Sequence, residues 1–156
     1  MHLTKSKYLS GLHCPKKLWL STYKYELGNY VKSFAAEIGD EVGIGATSNY
    51  PNGKLIKASY KNHEAAIKET SELVNDDSVD AIFEAAFEYD GIRIRVDIFE
   101  RLEKNKWRIR EVKSSKSIKN IFYKDVAIQY YVLSGLGYNI MSVKLMHTNS
   151  EYILKN

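Results

Sequence analysis

Three stretches of the chain alternate apolar and polar side chains with a period of two: VDAIFEAAFEY (79–89), IRIRVDIFER (92–101) and KWRIREVK (106–113). That period predicts β-strands. Around them the apolar positions recur at helical spacing. Phe34, Ile38, Val42 and Ala46 place SFAAEIGDEVGIGA on an amphipathic helix, and NHEAAIKETSELVN follows as a helix capped by Asn62. SIKNIFYKDVAIQYYVLSGLG reads as a helix stopped at Gly135 or Gly137, and IMSVKLMH as a last strand. Upstream, LTKSKYLSGL starts a helix with Thr4 as N-cap, and Pro15 interrupts it before KKLWLSTYK; YPNG is a turn and KLIKASY a strand. Helices, three strands, a helix and a strand predict one α+β domain over residues 1–156, with a single sheet covered by helices.

The turns set the register. Asp90-Gly91 is a strong two-residue hairpin signal. It pairs Tyr89 with Ile92, Phe87 with Ile94, Ala85 with Val96 and Phe83 with Ile98, which predicts one continuous apolar face. On the other face Glu88 meets Arg93, and Glu84 falls opposite Asp97. A one-residue slip would invert every side chain. For the next turn a three-residue loop, Glu103-Lys104-Asn105, with Asn105 left-handed, pairs Val96 with Val112, Phe99 with Ile109 and Asp97 with Glu111. A two-residue loop would instead put Glu111 on the apolar face, where an unpaired carboxylate is costly.

Glu84, Asp97 and Glu111 therefore line up across three strands, with Lys113 beside Glu111. Like charges in direct opposition destabilise a sheet. A hard divalent cation, Mg²⁺ or Mn²⁺, would relieve them and keep waters for a phosphate substrate. A solvated sheet face, with the acids paired to Arg93, Arg95, Arg101 or Lys113, accounts for the same spacing.

Charge supports a polyanionic partner only weakly. Residues 1–32 hold 6 lysines or arginines against 1 acid, residues 33–100 hold 6 against 14, and residues 101–156 hold 11 against 4. Two basic flanks surround an acidic middle. The one cysteine, Cys14, excludes an internal disulfide and suits a reducing compartment. The first residues lack the apolar core of a secretory signal, and the uncharged run 126–143 is broken by Gln129, Gly135, Gly137 and Asn139, so no membrane span is expected and the default location is cytoplasmic.

VD at 96–97 followed by EVK at 111–113 resembles the PD-(D/E)XK nuclease pattern, with Val96 in place of the proline. DVAIQYY resembles the glutamine-tyrosine motif of the RecB-like branch, with Gln129 as its glutamine. Leu133 stands where that branch usually has tyrosine. LTKSKYLSGLHCPKKLWL is similar to the opening of CRISPR-associated RecB-like exonucleases, and closer still to uncharacterised bacterial RecB-like proteins. The resemblance implies a restriction-endonuclease-like mixed sheet with an αβββαβ core. In the CRISPR-associated group the matching cysteine helps hold an iron–sulfur cluster; Cys14 has no partner cysteine, so no cluster is expected and Cys14 is read as a buried small residue.

The resemblance implies a Mg²⁺- or Mn²⁺-dependent deoxyribonuclease, an exonuclease of DNA repair or mobile-element processing, acting on single- or double-stranded DNA and its ends. Asp97 and Glu111 would bind the metal, with the Val112 carbonyl as a third ligand, and Lys113 would orient water or neutralise phosphate. Lys113 could equally be a weak ion pair. Glu84 is either a further metal-associated acid or a structural partner of Arg95. Glu41 is the first-helix candidate for the metal, with Asp40 and Glu37 behind it, or else a solvated acid. Gln129 faces the sheet, where it could touch DNA or cap a buried polar group. Tyr130 is open between core and substrate. Lys116, Lys119 and Lys124 follow the active strand, and with Lys5, Lys7, Lys16 and Lys17 would give salt-sensitive affinity. Tyr8, Trp19, Tyr23 and Tyr123 could stack bases or fill the core. The four histidines are read as structural. Competing expectations are a nucleic-acid-binding module that does not cut, a fragment needing a partner domain, and a homo-oligomer.

Overall fold

A computed structural model describes residues 2–28, 34–149, 151 and 153, with the side chains of 34–36 left aside. The order is β1 (Leu3–Thr4), α1 (Lys5–His13), α2 (Pro15–Tyr23), a 3-10 turn (Tyr25–Leu27), α3 (Phe34–Thr47), β2 (Lys54–Leu55), α4 (His63–Val74), β3 (Ala81–Tyr89), β4 (Ile92–Glu103), β5 (Lys106–Lys113), α5 (Asn120–Gly135) and β6 (Ile140–His147). The architecture is α+β: a mixed six-stranded sheet in the order β2-β3-β4-β5-β6, with β1 added to β4 and helices packed around it. Among the described residues no helix is long and apolar enough to cross a membrane.

Caps place the helices. Thr4 accepts from the Lys7 amide and Asn62 from the Ala65 amide, so both expected N-caps operate. Cys14 is extended (φ −157°) and Pro15 opens α2, which separates two short helices where one long helix would clash. Cys14 is half-buried at that junction and not buried as expected.

The Asp90-Gly91 turn has both residues at positive φ, 50° and 70°, and the β3–β4 pairs Tyr89–Ile92, Glu88–Arg93, Phe87–Ile94, Ala85–Val96 and Phe83–Ile98 all form. The second turn differs from expectation. Glu103 pairs with Lys106 around a two-residue turn, and a bulge between Arg101 and Glu103 absorbs the odd residue. Asn105 is left-handed at φ 59°, and Phe99 still pairs with Ile109. The bulge restores the register that an odd loop would have given.

The main core gathers Ile82, Phe87, Ile94, Phe99, Trp107, Ile109, Val132 and Leu133. KLIKASY does not form a full strand: only Lys54 and Leu55 pair, parallel to Ile82 and Phe83. Along α3 only Ala46 of the expected stripe is buried, while Val42 is half-buried and Ile38 exposed; Phe34 lies outside the described side chains. Among the described residues of the stripe only Ala46, near the end of this helix, closes on the sheet, against Ala81, Phe83 and Ile98; the turns before it border an open cavity.

Candidate functional site

The sheet breaks its own alternation at two acids. Phe83 and Ile98 pack with Ala46, Ala81 and Val112, whereas their neighbours two residues on, Ala85 and Val96, join the main core with Phe87, Ile94 and Phe99. In a regular strand residues two apart share a face. Here Glu84 lies between the pairs at φ 57°, and neither Glu84 nor Asp97 makes a ladder pair although both flanking pairs are in register. The single apolar face expected from the sequence is thus two faces joined by a kink. A left-handed glutamate costs on the order of 1–2 kcal/mol, and the kink turns Glu84 and Asp97 toward one cavity.

The opposite edge of β4 also opens there. β5 pairs with β4 from Ile98 onward, and β1 pairs with Ile92 and Arg93, so residues 94–97 fall between the ends of two partners. Lys5, directly after β1, enters that gap. Asp97 and Glu111 do not pair as ladder residues; instead the Val112 amide donates to Asp97 Oδ2 at 2.7 Å.

A charge cluster fills the gap. Lys5 Nζ lies 3.1 Å from Glu111 Oε2, 3.3 Å from Asp125 Oδ1 and 3.9 Å from Asp97 Oδ1. Lys113 Nζ lies 2.5 Å from Glu111 Oε1 and 2.6 Å from Asp125 Oδ2. Gln129 Nε2 donates to Glu111 Oε2 at 2.6 Å and to Asp125 Oδ1 at 3.0 Å, and its Oε1 is buried without a partner among the described residues. Glu111 is 1 % exposed and Gln129 is 0 %, both deeper than ordinary surface ion pairs. Removing one member of such a group strands the others.

Burial dominates the electrostatics. It pushes Glu111 up to about 7, with Lys5 opposing the rise and Asp97 and Asp125 adding to it. Burial likewise raises Asp97 against the pull of Lys5 and the Val112 amide. Burial alone would lower Lys5 and Lys113, yet the facing carboxylates, Glu111 foremost, hold both ammoniums above their ordinary range. Asp125 stays below the usual carboxylate range despite burial, because Lys5 faces it. When all are ionised, three carboxylates against two ammoniums leave the group short of one positive charge, a deficit that a proton on Glu111 fills below about 7.

The expected residues separate into those gathered and those apart. Asp97, Glu111, Val112, Lys113 and Glu84 line one cavity of about 790 Å³. Gln129 lies behind it, on Glu111. Glu84 receives the Tyr60 hydroxyl at 2.5 Å, and the Arg95 guanidinium stacks on that tyrosine at 4.3 Å, so the expected Glu84–Arg95 link runs through a ring. Glu41 is exposed and off the cavity, which α3 lines instead with Asp40, Gly43 and Thr47. The helix is rotated by one residue from the orientation that would aim Glu41 inward. Lys116, Lys119, Lys124 and Tyr130 are exposed, as are Trp19, Tyr23 and Tyr123, so these aromatics do not fill the core. Sequence reading did not place Lys5 or Asp125 in the site. Asp125 stands four residues before Gln129 on the same helical stripe, a usable signal; Lys5 depended on a two-residue parallel strand that no periodicity announces.

Among the described residues no three acidic, histidine or cysteine side chains form a ready-made metal cage. The donor chemistry nevertheless fits a hard divalent cation in part. One cationic nitrogen already reaches Asp97, Glu111 and Asp125 from a single point, all their ligating atoms are oxygens, and the group lacks a positive charge. No family model, curated protein or solved structure matches this chain.

Proposed function

We propose that this chain is a Mg²⁺- or Mn²⁺-dependent deoxyribonuclease of the RecB-like PD-(D/E)XK type, acting in the cytoplasm on linear DNA. One observation carries the reading: Asp97 from β4, Glu111 and Lys113 from β5 and Gln129 from α5 meet at a kinked, charge-deficient point of the sheet. Asp97 and Glu111 would hold the metal, with the Val112 carbonyl. A bound metal supplies a water made nucleophilic near neutral pH and stabilises charge on the phosphate. The chain's own groups prepare the rest. The Val112 amide fixes the Asp97 rotamer, and Gln129 fixes Glu111. Lys113, held by Asp125, presents an ammonium that can orient water or neutralise a phosphate oxygen.

The test is degradation of linear DNA with added Mn²⁺ or Mg²⁺. Asp97→Ala and Lys113→Ala should each lower the rate by about a thousandfold, the scale of removing one key electrostatic group from an active site. Undiminished cleavage by either variant overturns the assignment. A second reading draws on Lys5, whose ammonium already occupies the point between the acids: a module that binds nucleic acid without cutting. It predicts salt-dependent DNA binding and no metal-dependent turnover.

A further inference from the structure

Beside the larger cavity lies a second pocket of about 260 Å³. The two share Lys5, Glu84 and Asp97; the residues that belong to the second alone include Thr4, Ser6, Tyr60, His63, Arg93 and Arg95, and none of these is acidic. We propose that this pocket is a phosphate-binding subsite, which receives a phosphate group of the nucleic-acid strand next to the carboxylate site.

Two independent features point to an anion. The first is Arg95. It is 9 % exposed, its Nη2 donates to the Ala58 and Ser59 carbonyls at 2.8 and 3.1 Å, and its Nε–H is buried with no acceptor among the described residues. A buried donor left unpaired costs on the order of 1–3 kcal/mol, which an anionic oxygen would recover. The second is the N-terminus of α1. Thr4, Lys5 and Ser6 open that nine-residue helix at the pocket wall, no acid occupies its first turn, and Thr4 caps only the Lys7 amide. The first amides of a helix have no intrahelical partners, and its dipole favours negative charge. Arg93 adds a third cation, although Glu88 holds it at 2.7 Å. The Lys5 ammonium is held by the carboxylate cluster and two acids, Glu84 and Asp97, stand on the shared wall, so the pull on an anion comes from the Arg95 Nε–H and the helix amides, whose directional donors suit a phosphate oxygen.

The adjacency gives the subsite its role. A strand phosphate anchored here lies one shared wall from Asp97, so the next phosphodiester can be offered to the cavity that holds Glu111 and Lys113. That role rests on the nuclease reading, whereas anion binding itself does not.

The experiment uses the metal-free 156-residue chain labelled with ¹⁵N and titrated with inorganic phosphate at constant ionic strength, with chloride as control. The Ser6 amide and Arg95 Nε–H resonances should shift saturably with phosphate and not with chloride. Ser6→Asp puts a carboxylate at the pocket in a helix turn that tolerates acids, so it keeps the fold, and it should weaken phosphate binding by about tenfold or more. Arg93→Gln should weaken it less. Absence of saturable shifts, or equal affinity in Ser6→Asp, overturns the subsite. A short oligonucleotide should move the same resonances; free phosphate moving them without the oligonucleotide doing so overturns the strand-phosphate assignment. Cleavage assays on Asp97→Ala judge the nuclease reading separately, because this titration needs neither metal nor turnover.

Discussion

Strands β4 and β5 carry two neighbouring regions of opposite chemistry. At one end Phe99 stacks on Trp107 at 4.3 Å and 4°, with Tyr138 edge-on at 5.5 Å and Phe87 at 5.1 Å. Asp97 stands two residues from Phe99 along β4, and Glu111 four residues from Trp107 along β5. Ile109 is 0 % exposed and Glu111 is 1 %. The aromatic end gains stability by removing apolar area from water. The acidic end loses stability through desolvation and regains part of it through Lys5, Lys113 and Gln129. The backbone differs as well: at the first the β4–β5 pairs run unbroken from Ile98 to Arg101, with register shifts only beyond Arg101 and, against β6, after Trp107; at the second there are missing pairs beside a left-handed Glu84 on β3. Neighbouring stretches of one sheet thus separate apolar packing from buried charge, with the packed end holding the strained end in place.

The largest effect expected from breaking this comparison lies at the aromatic end. Phe99→Ala should cost about 3–5 kcal/mol, the usual loss for a fully buried aromatic. Urea denaturation of the metal-free protein reads it directly. A loss below about 1 kcal/mol would mean that the stacked group does not anchor the sheet.

The acidic end should reveal itself through pH. Glu111 titrates near 7 when folded, against 4.5 for an unperturbed glutamate. Between those values the folded protein holds a proton that the unfolded chain has lost, so stability falls as pH rises through the window. Asp125, shifted below its ordinary 3.8, acts in the opposite sense, but only at more acidic pH. His63, lowered by burial, stays present in both proteins compared and cancels. Glu111→Gln should therefore flatten the stability decline between pH 5 and 8 by about 2–3 kcal/mol in metal-free protein. Equal slopes in the two proteins would show that Glu111 is ionised throughout, with its cations outweighing burial.

The aromatic end was the more legible in sequence, and the reason is physical. Regular alternation and the Asp90-Gly91 turn specify pairing locally, so every β3–β4 pair read from the chain is present except Glu84 with Asp97. Asn105 marked its turn, although the bulge that corrects the register left no sign of its own. At the acidic end Asp97, Glu111, Lys113 and Gln129 were readable as a group, because strand parity and helical spacing carry them to one level. The kink was not readable. It requires a glutamate at positive φ, which no propensity favours. Lys5 was hidden because its position comes from Leu3 and Thr4 pairing with β4 across almost ninety residues. Glu41 and Asp40 are adjacent, and the rotation of a helix beside an open cavity is not set by a buried stripe.

The smallest effect tests the kink itself. Glycine adopts φ near 57° without the steric penalty that glutamate bears, so Glu84→Gly relieves on the order of 1–2 kcal/mol. It also removes the acceptor of the Tyr60 hydroxyl, which burial and Glu84 together hold above its ordinary pKa range. Glycine further loosens the unfolded chain by up to about 1 kcal/mol. These terms nearly cancel, and the net change should stay within about 1 kcal/mol in urea denaturation. A loss of 2 kcal/mol or more would mean that the Glu84–Tyr60–Arg95 stack holds the kink, and that the left-handed backbone is its consequence. A near-neutral result places the cause in the strand pairing on either side, where Phe83–Ile98 and Ala85–Val96 commit to different cores and leave the residue between them no other conformation.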